Sequence, residues 1–72
     1  MKITVIIEKA KDGTFAAYAD KCIDNFLPAG YGATAEAAFE DFKICIEEMN
    51  EIRKEENKES ITPVYELSVA TL

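Results

Sequence analysis

Histidine is absent from this 72-residue chain and cysteine occurs twice. Sulfur and imidazole are thus too few for a zinc site, and neither Cys22 nor Cys45 has an imidazole to activate it as a nucleophile. Glycine is scarce as well, with three in the chain. Gly30 and Gly32 flank Tyr31 without the third glycine of a dinucleotide fingerprint. Basic residues are outnumbered, 8 against 14 acidic, for a net charge of −6. Direct nucleic-acid binding draws on Lys and Arg displacing counterions from phosphate, so this balance argues against it and suits a basic protein partner. Met1-Lys2-Ile3-Thr4 runs straight into strand pattern, with no signal-peptide core and no apolar span of about 20 residues. The expectation is a soluble cytoplasmic chain that does not engage membranes. A Cys22–Cys45 disulfide stays open, two reduced thiols with Cys45 partly buried being the expectation. No catalytic, cofactor-binding or metal-binding residue is assigned.

What is present fits one domain, residues 1–72, in a size range where a single core leaves little net stability and a second subunit helps. A homodimer is the expected assembly. From Ile3 to Lys9 the residues alternate, Ile3, Val5 and Ile7 on a core face and Thr4, Ile6 and Glu8 on the other. The Asp12-Gly13 pair marks a hairpin, and Thr14 to Ala19 returns with Phe15, Ala17 and Ala19 opposed to Thr14, Ala16 and Tyr18. After a polar turn at 20–25, Phe26 to Tyr31 reads as a third strand, which Pro28 confines to an edge or makes irregular.

Thr34 is an N-cap, and Glu36 sets negative charge in the first helical turn. Ala35, Ala38, Phe39, Phe42, Cys45, Ile46, Met49 and Ile52 form one stripe suited to covering a sheet, with Ile44 opposite. The run from Glu47 to Glu59 reads as a solvated face on which Glu51 and Lys54 are spaced to meet. Asn57 can end the helix in the left-handed conformation, and Pro63 discourages continuation. Ile61 to Val69 is the last strand, Tyr65, Leu67 and Val69 facing inward. The whole predicts an α+β, βββαβ fold: a single sheet with one helix packed across one face and a parallel final strand beside the first. The helix would cover Ile3, Val5, Ile7, Phe15, Ala17, Leu67 and Val69. The bare face would carry Thr4, Ile6, Glu8, Ala16, Tyr18, Val64, Glu66 and Ser68. Ile6, Glu8, Tyr18 and Glu66 are its candidate partner-binding or self-association residues.

The order Ile-Thr-Val-Ile-Ile-Glu-Lys, then Lys-Asp-Gly-Thr-Phe-Ala-Ala-Tyr, then Gly-Tyr-Gly-Ala-Thr-Ala-Glu-Ala-Ala-Phe-Glu-Asp-Phe resembles the N-terminal domain of HicB-family antitoxins over roughly residues 2–56. Glu36 lies one place earlier than in the commonest form of that helix entry. The resemblance implies a partial RNase H-like fold without nuclease activity that neutralises a small basic ribonuclease, the HicA-like toxin of a type II toxin-antitoxin system. Longer members add a C-terminal DNA-binding segment, expected to be absent from these residues, so operator binding does not carry over.

Two alternatives remain, a metal-dependent RNase H-like nuclease and a small structural or ligand-binding domain. The nuclease needs three or four carboxylates converging on metal ions. Glu8 and Glu66 could share the bare face, whereas Glu36 and Glu40 project away from the sheet, so the chain is expected not to be an enzyme.

Overall fold

In the computed structural model, which describes residues 1–69, four strands and one helix follow in the order β1 (Lys2–Lys9), β2 (Phe15–Ala19), β3 (Ala29–Gly32), α1 (Ala35–Glu55) and β4 (Val64–Val69). The sheet order is β3-β2-β1-β4; the first three strands are antiparallel neighbours and β4 is parallel to β1. This is the α+β, βββαβ arrangement expected, with one helix on one face.

Local chemistry sets each junction. The β1–β2 hairpin closes through Gly13 N–H to the Ala10 carbonyl (3.0 Å) and Ala10 N–H to Thr14 (2.8 Å). Only Gly13 of the Asp-Gly pair takes positive φ, at 90°. Asp12 instead accepts from the Thr14 amide and hydroxyl. Between β2 and β3, Ile23 and Phe26 exchange two backbone hydrogen bonds across Asp24 and Asn25, at φ 55° and 63°. That is a type I′ turn, which Asx side chains tolerate. The third strand is therefore shorter than expected, its first residues being spent on this turn. Pro28 is buried before β3 and serves the ladder only as an acceptor, from Ala19 N–H.

The Thr34 hydroxyl accepts from Ala37 N–H at 3.0 Å, capping α1. At the far end Asn57 has φ 59°, while Lys58 N–H reaches the Arg53 carbonyl and Asn57 N–H that of Lys54. This is a Schellman closure with asparagine in the left-handed position.

The core consists of Ile3, Val5, Ile7, Ala17 and Ala19 from the sheet, Ala38, Phe42, Ile46 and Met49 from the helix, and Ile61 from the connection to β4. Phe15 and Tyr65 pack at its edge. Three expectations about coverage fail. Leu67 and Val69 lie in register with Val5 and Ile7, on the helix side as the alternation requires. They are nevertheless 51% and 70% exposed. The reason is lateral: α1 packs against β3, β2 and β1 and makes no backbone approach to β4. Ile52 is also exposed. A helix of 21 residues is about 31 Å long against about 26 Å for the eight-residue β1, the longest strand it packs on, so its last turns overhang the sheet.

Glycine accounts for the helix position. A Cβ on Gly30 would stand 2.2 Å from the Phe42 amide nitrogen, and one on Gly32 2.6 Å from the Ala37 Cβ. The helix thus rests on bare β3 backbone at a separation that any side chain would forbid. Ile44 points outward, as expected.

Candidate functional site

The helix leaves the opposite face of the sheet bare. Ile6 pairs with Tyr18 across β1 and β2, at the middle of the four strands, and with Ser68 on β4. Both Ile6 and Tyr18 are half-buried. The Tyr18 hydroxyl donates to Glu8 Oε1 at 2.5 Å, reaching diagonally since Glu8 itself pairs with Ala16. This bond holds the phenolic proton and raises the Tyr18 pKa above its ordinary value, with desolvation adding to it. Ile6, Glu8 and Tyr18 are therefore one cluster, a fixed ring and carboxylate beside an aliphatic side chain.

Glu66 shares the face without joining that cluster. It pairs with Thr4, and Lys2 reaches it at 2.9 Å, with the Lys2 pKa raised by this hydrogen bond and charge. Glu8 stands four residues along β1 from Thr4, about 13 Å at strand rise. The two carboxylates face different partners at opposite ends of the strand, too far apart for one divalent ion to bridge. Among the described residues, no three metal-capable side chains cluster anywhere.

One contributor was missed. Tyr31 pairs with Ala16, stands on the bare face and is 69% exposed. Its alternation relative to Gly30, which must face the helix, was the signal that could have found it.

The acidic tail of the helix is not merely solvated. Asn50 clamps the connection to β4, its Oδ1 accepting from Ile61 N–H (2.7 Å) and its Nδ2 donating to the Ile61 carbonyl (3.0 Å). Arg53 donates through Nε to the Glu59 carbonyl (2.7 Å) and through Nη1 to Asp24 (2.6 Å), tying the 24–25 turn and the 58–63 connection to one helical turn. The hydrogen bond from Arg53 lowers the Asp24 pKa. Among the described residues, the pair expected between Glu51 and Lys54 does not form, and Lys43 meets Glu40 instead at 2.7 Å. A groove of about 390 Å³ lies beside this knot, on the helix side, between Phe26 and the Cys45, Met49 and Ile52 side chains. Cys22 and Cys45 are free, the first exposed and the second half-buried.

No helix among the described residues is long and apolar enough to cross a membrane. No family model matches the chain, and no match is found among curated proteins or solved structures.

Proposed function

We propose that the chain is a non-catalytic binding module of the HicB antitoxin type, which neutralises a small basic HicA-like RNA-cleaving toxin in the cytoplasm by covering its RNA-binding surface. The observation that carries this reading is the bare sheet face, with Tyr18 held in place by Glu8, Ile6 beside it and Tyr31 projecting at its margin. Tyrosines whose rotamers are already fixed lose little freedom on docking and are frequent anchors of protein interfaces. The sequence resemblance supplies the identity of the partner, and the −6 charge supplies attraction to a surface built for phosphate. Lys and Arg side chains of the toxin would meet carboxylates in place of RNA, so the mechanism is occlusion, and no step requires chemistry from this chain.

The test is titration of a HicA-like ribonuclease with this chain, with RNA cleavage as readout. Cleavage should fall to background at equimolar chain and low ionic strength, and recover partly as salt screens the attraction. Ile6→Asp and Tyr31→Ala should each weaken the inhibition. Cleavage that persists at a large excess of folded chain would reject the reading.

A further inference from the structure

The two edges of the sheet differ in whether another strand could be added. At β3 the edge is four residues long, Pro28 precedes it, and the outward Tyr31 N–H is already taken by Asp41 Oδ2 at 3.0 Å. At β4 six residues run without proline or bulge. Val64 N–H donates inward to the Met1 carbonyl, so by the parallel ladder rule Val64, Glu66 and Ser68 bond to β1. Tyr65, Leu67 and Val69 then turn their N–H and C=O groups outward. An edge of this kind, long and apolar, is a template for pairing.

We propose that β4 pairs antiparallel with β4 of a second copy, on a two-fold axis through Leu67, giving a continuous eight-stranded sheet. This inference concerns assembly and does not rest on the antitoxin reading. Charge and hydrogen bonding select the register. With the axis at Leu67, Leu67 opposes its own mate and Tyr65 opposes Val69, and each opposed residue carries both outward groups, for about six interchain hydrogen bonds. Glu66 then faces Ser68, and Lys2 of its own chain already balances its charge. With the axis at Glu66 instead, two carboxylates would stand opposite each other at the closest strand spacing, and Pro63 would bring no donor. The helix permits the pairing because it sits toward β3 and leaves Leu67 and Val69 of β4 uncovered. The Leu67 side chain, 51% exposed in one copy, meets its equivalent on that strip, and Val69, 70% exposed, meets Tyr65 of the second copy. A second copy is the self-complementary occupant: it brings an apolar residue to the axis and a neutral residue to each acid.

Sedimentation equilibrium of the intact chain tests this, with Cys22→Ser to silence the exposed thiol. The apparent mass should double with concentration, and more readily at high ionic strength, since copies of charge −6 repel each other. This salt response is opposite to that of toxin binding, so either idea can fail without the other. Leu67→Asp, at an exposed position, should weaken dimerisation by about tenfold or more while the circular dichroism is unchanged. Leu67→Cys should form a covalent dimer on mild oxidation, because hydrogen-bonded opposed residues lie about 5.5 Å apart at Cα, within disulfide reach. Glu66→Cys should not. A monomer at every concentration and salt, a dimer indifferent to Leu67→Asp, or cross-linking through Glu66→Cys in place of Leu67→Cys would overturn the proposal. So would protection of β4 amides only on addition of an extended peptide, which would give the edge to another chain.

Discussion

The two outer strands are held by different physics. At β3 the attachment is steric: Gly30 and Gly32 admit the helix to near-contact with the strand backbone, and Phe42 is driven into the core beside them. At β4 the helix gives almost no cover. That strand is held by its ladder to β1, by Tyr65 set edge-on to Phe39 at 5.3 Å and Phe42 at 6.0 Å, and by the polar grip of Asn50 and Arg53 on the chain leading into it. One edge is closed by fit and the other is left open, and the closed one determines where the helix cannot go. Residues with no side chain on β3 thus decide the exposure of Leu67 on β4, three strands away.

The sharpest way to break this contrast is Gly30→Ala. The added carbon meets backbone, which cannot rotate aside, so the loss should exceed about 3 kcal/mol in urea denaturation. Asn50→Ala attacks the other side. It strips partners from both backbone groups of Ile61, a buried residue, and should cost about 2–3 kcal/mol. Thr34→Ala, which loosens the helix without favouring either edge, should cost about 1 kcal/mol by the same measurement. Leu67→Ala is the contrasting case: at concentrations where the chain is monomeric it should change stability by no more than about 0.5 kcal/mol, although its register partner Val5 is fully buried.

The smallest effect is an acid one. Hydrogen bonding from Arg53 depresses the folded-state pKa of Asp24 below the ordinary 3.8. The stabilisation is thus complete above that value and disappears as pH falls through the lower folded value. Asp24→Asn should flatten the loss of melting temperature on acidification below the ordinary carboxyl range and leave the neutral region with a small constant offset. Equal slopes for both proteins would remove Arg53–Asp24 from the account of how the 24–25 turn is held.

Most of the fold was legible because short-range chemistry wrote it. Thr34 begins the helix, Asn57 ends it, Gly13 turns the hairpin, and alternation from Ile3 to Ile7 assigns the buried side of β1. The same alternation correctly placed Leu67 and Val69 on the helix side. It could not show that they are uncovered, because period reports direction and not the lateral position of the opposing layer. That position depends on glycines in a different strand. Ile52 was misjudged for a related reason, since a stripe continues past the sheet it covers. Asn50 and Arg53 were hidden inside a charged run, where residue type signals solvent and gives no hint of backbone partners eleven and six residues onward. For the bare face, Ile6, Tyr18 and Glu8 were found by parity, and Tyr31 was lost through the irregular approach to β3.

The parallel pairing of β1 with β4 carries a consequence for synthesis. β1, made before the other described strands, lies inside the sheet, and one of its flanks waits for β4, made after them, with Lys2 meeting Val64. While the nascent chain is incomplete, the hairpin and helix can form, but the flank of β1 bearing Ile3, Val5 and Ile7 has no neighbour. Loop closure over so many residues is slow, and an unfilled flank is open to wrong partners. Ribosome-bound chains arrested before Val64 should therefore be far more prone to aggregation than chains released after it.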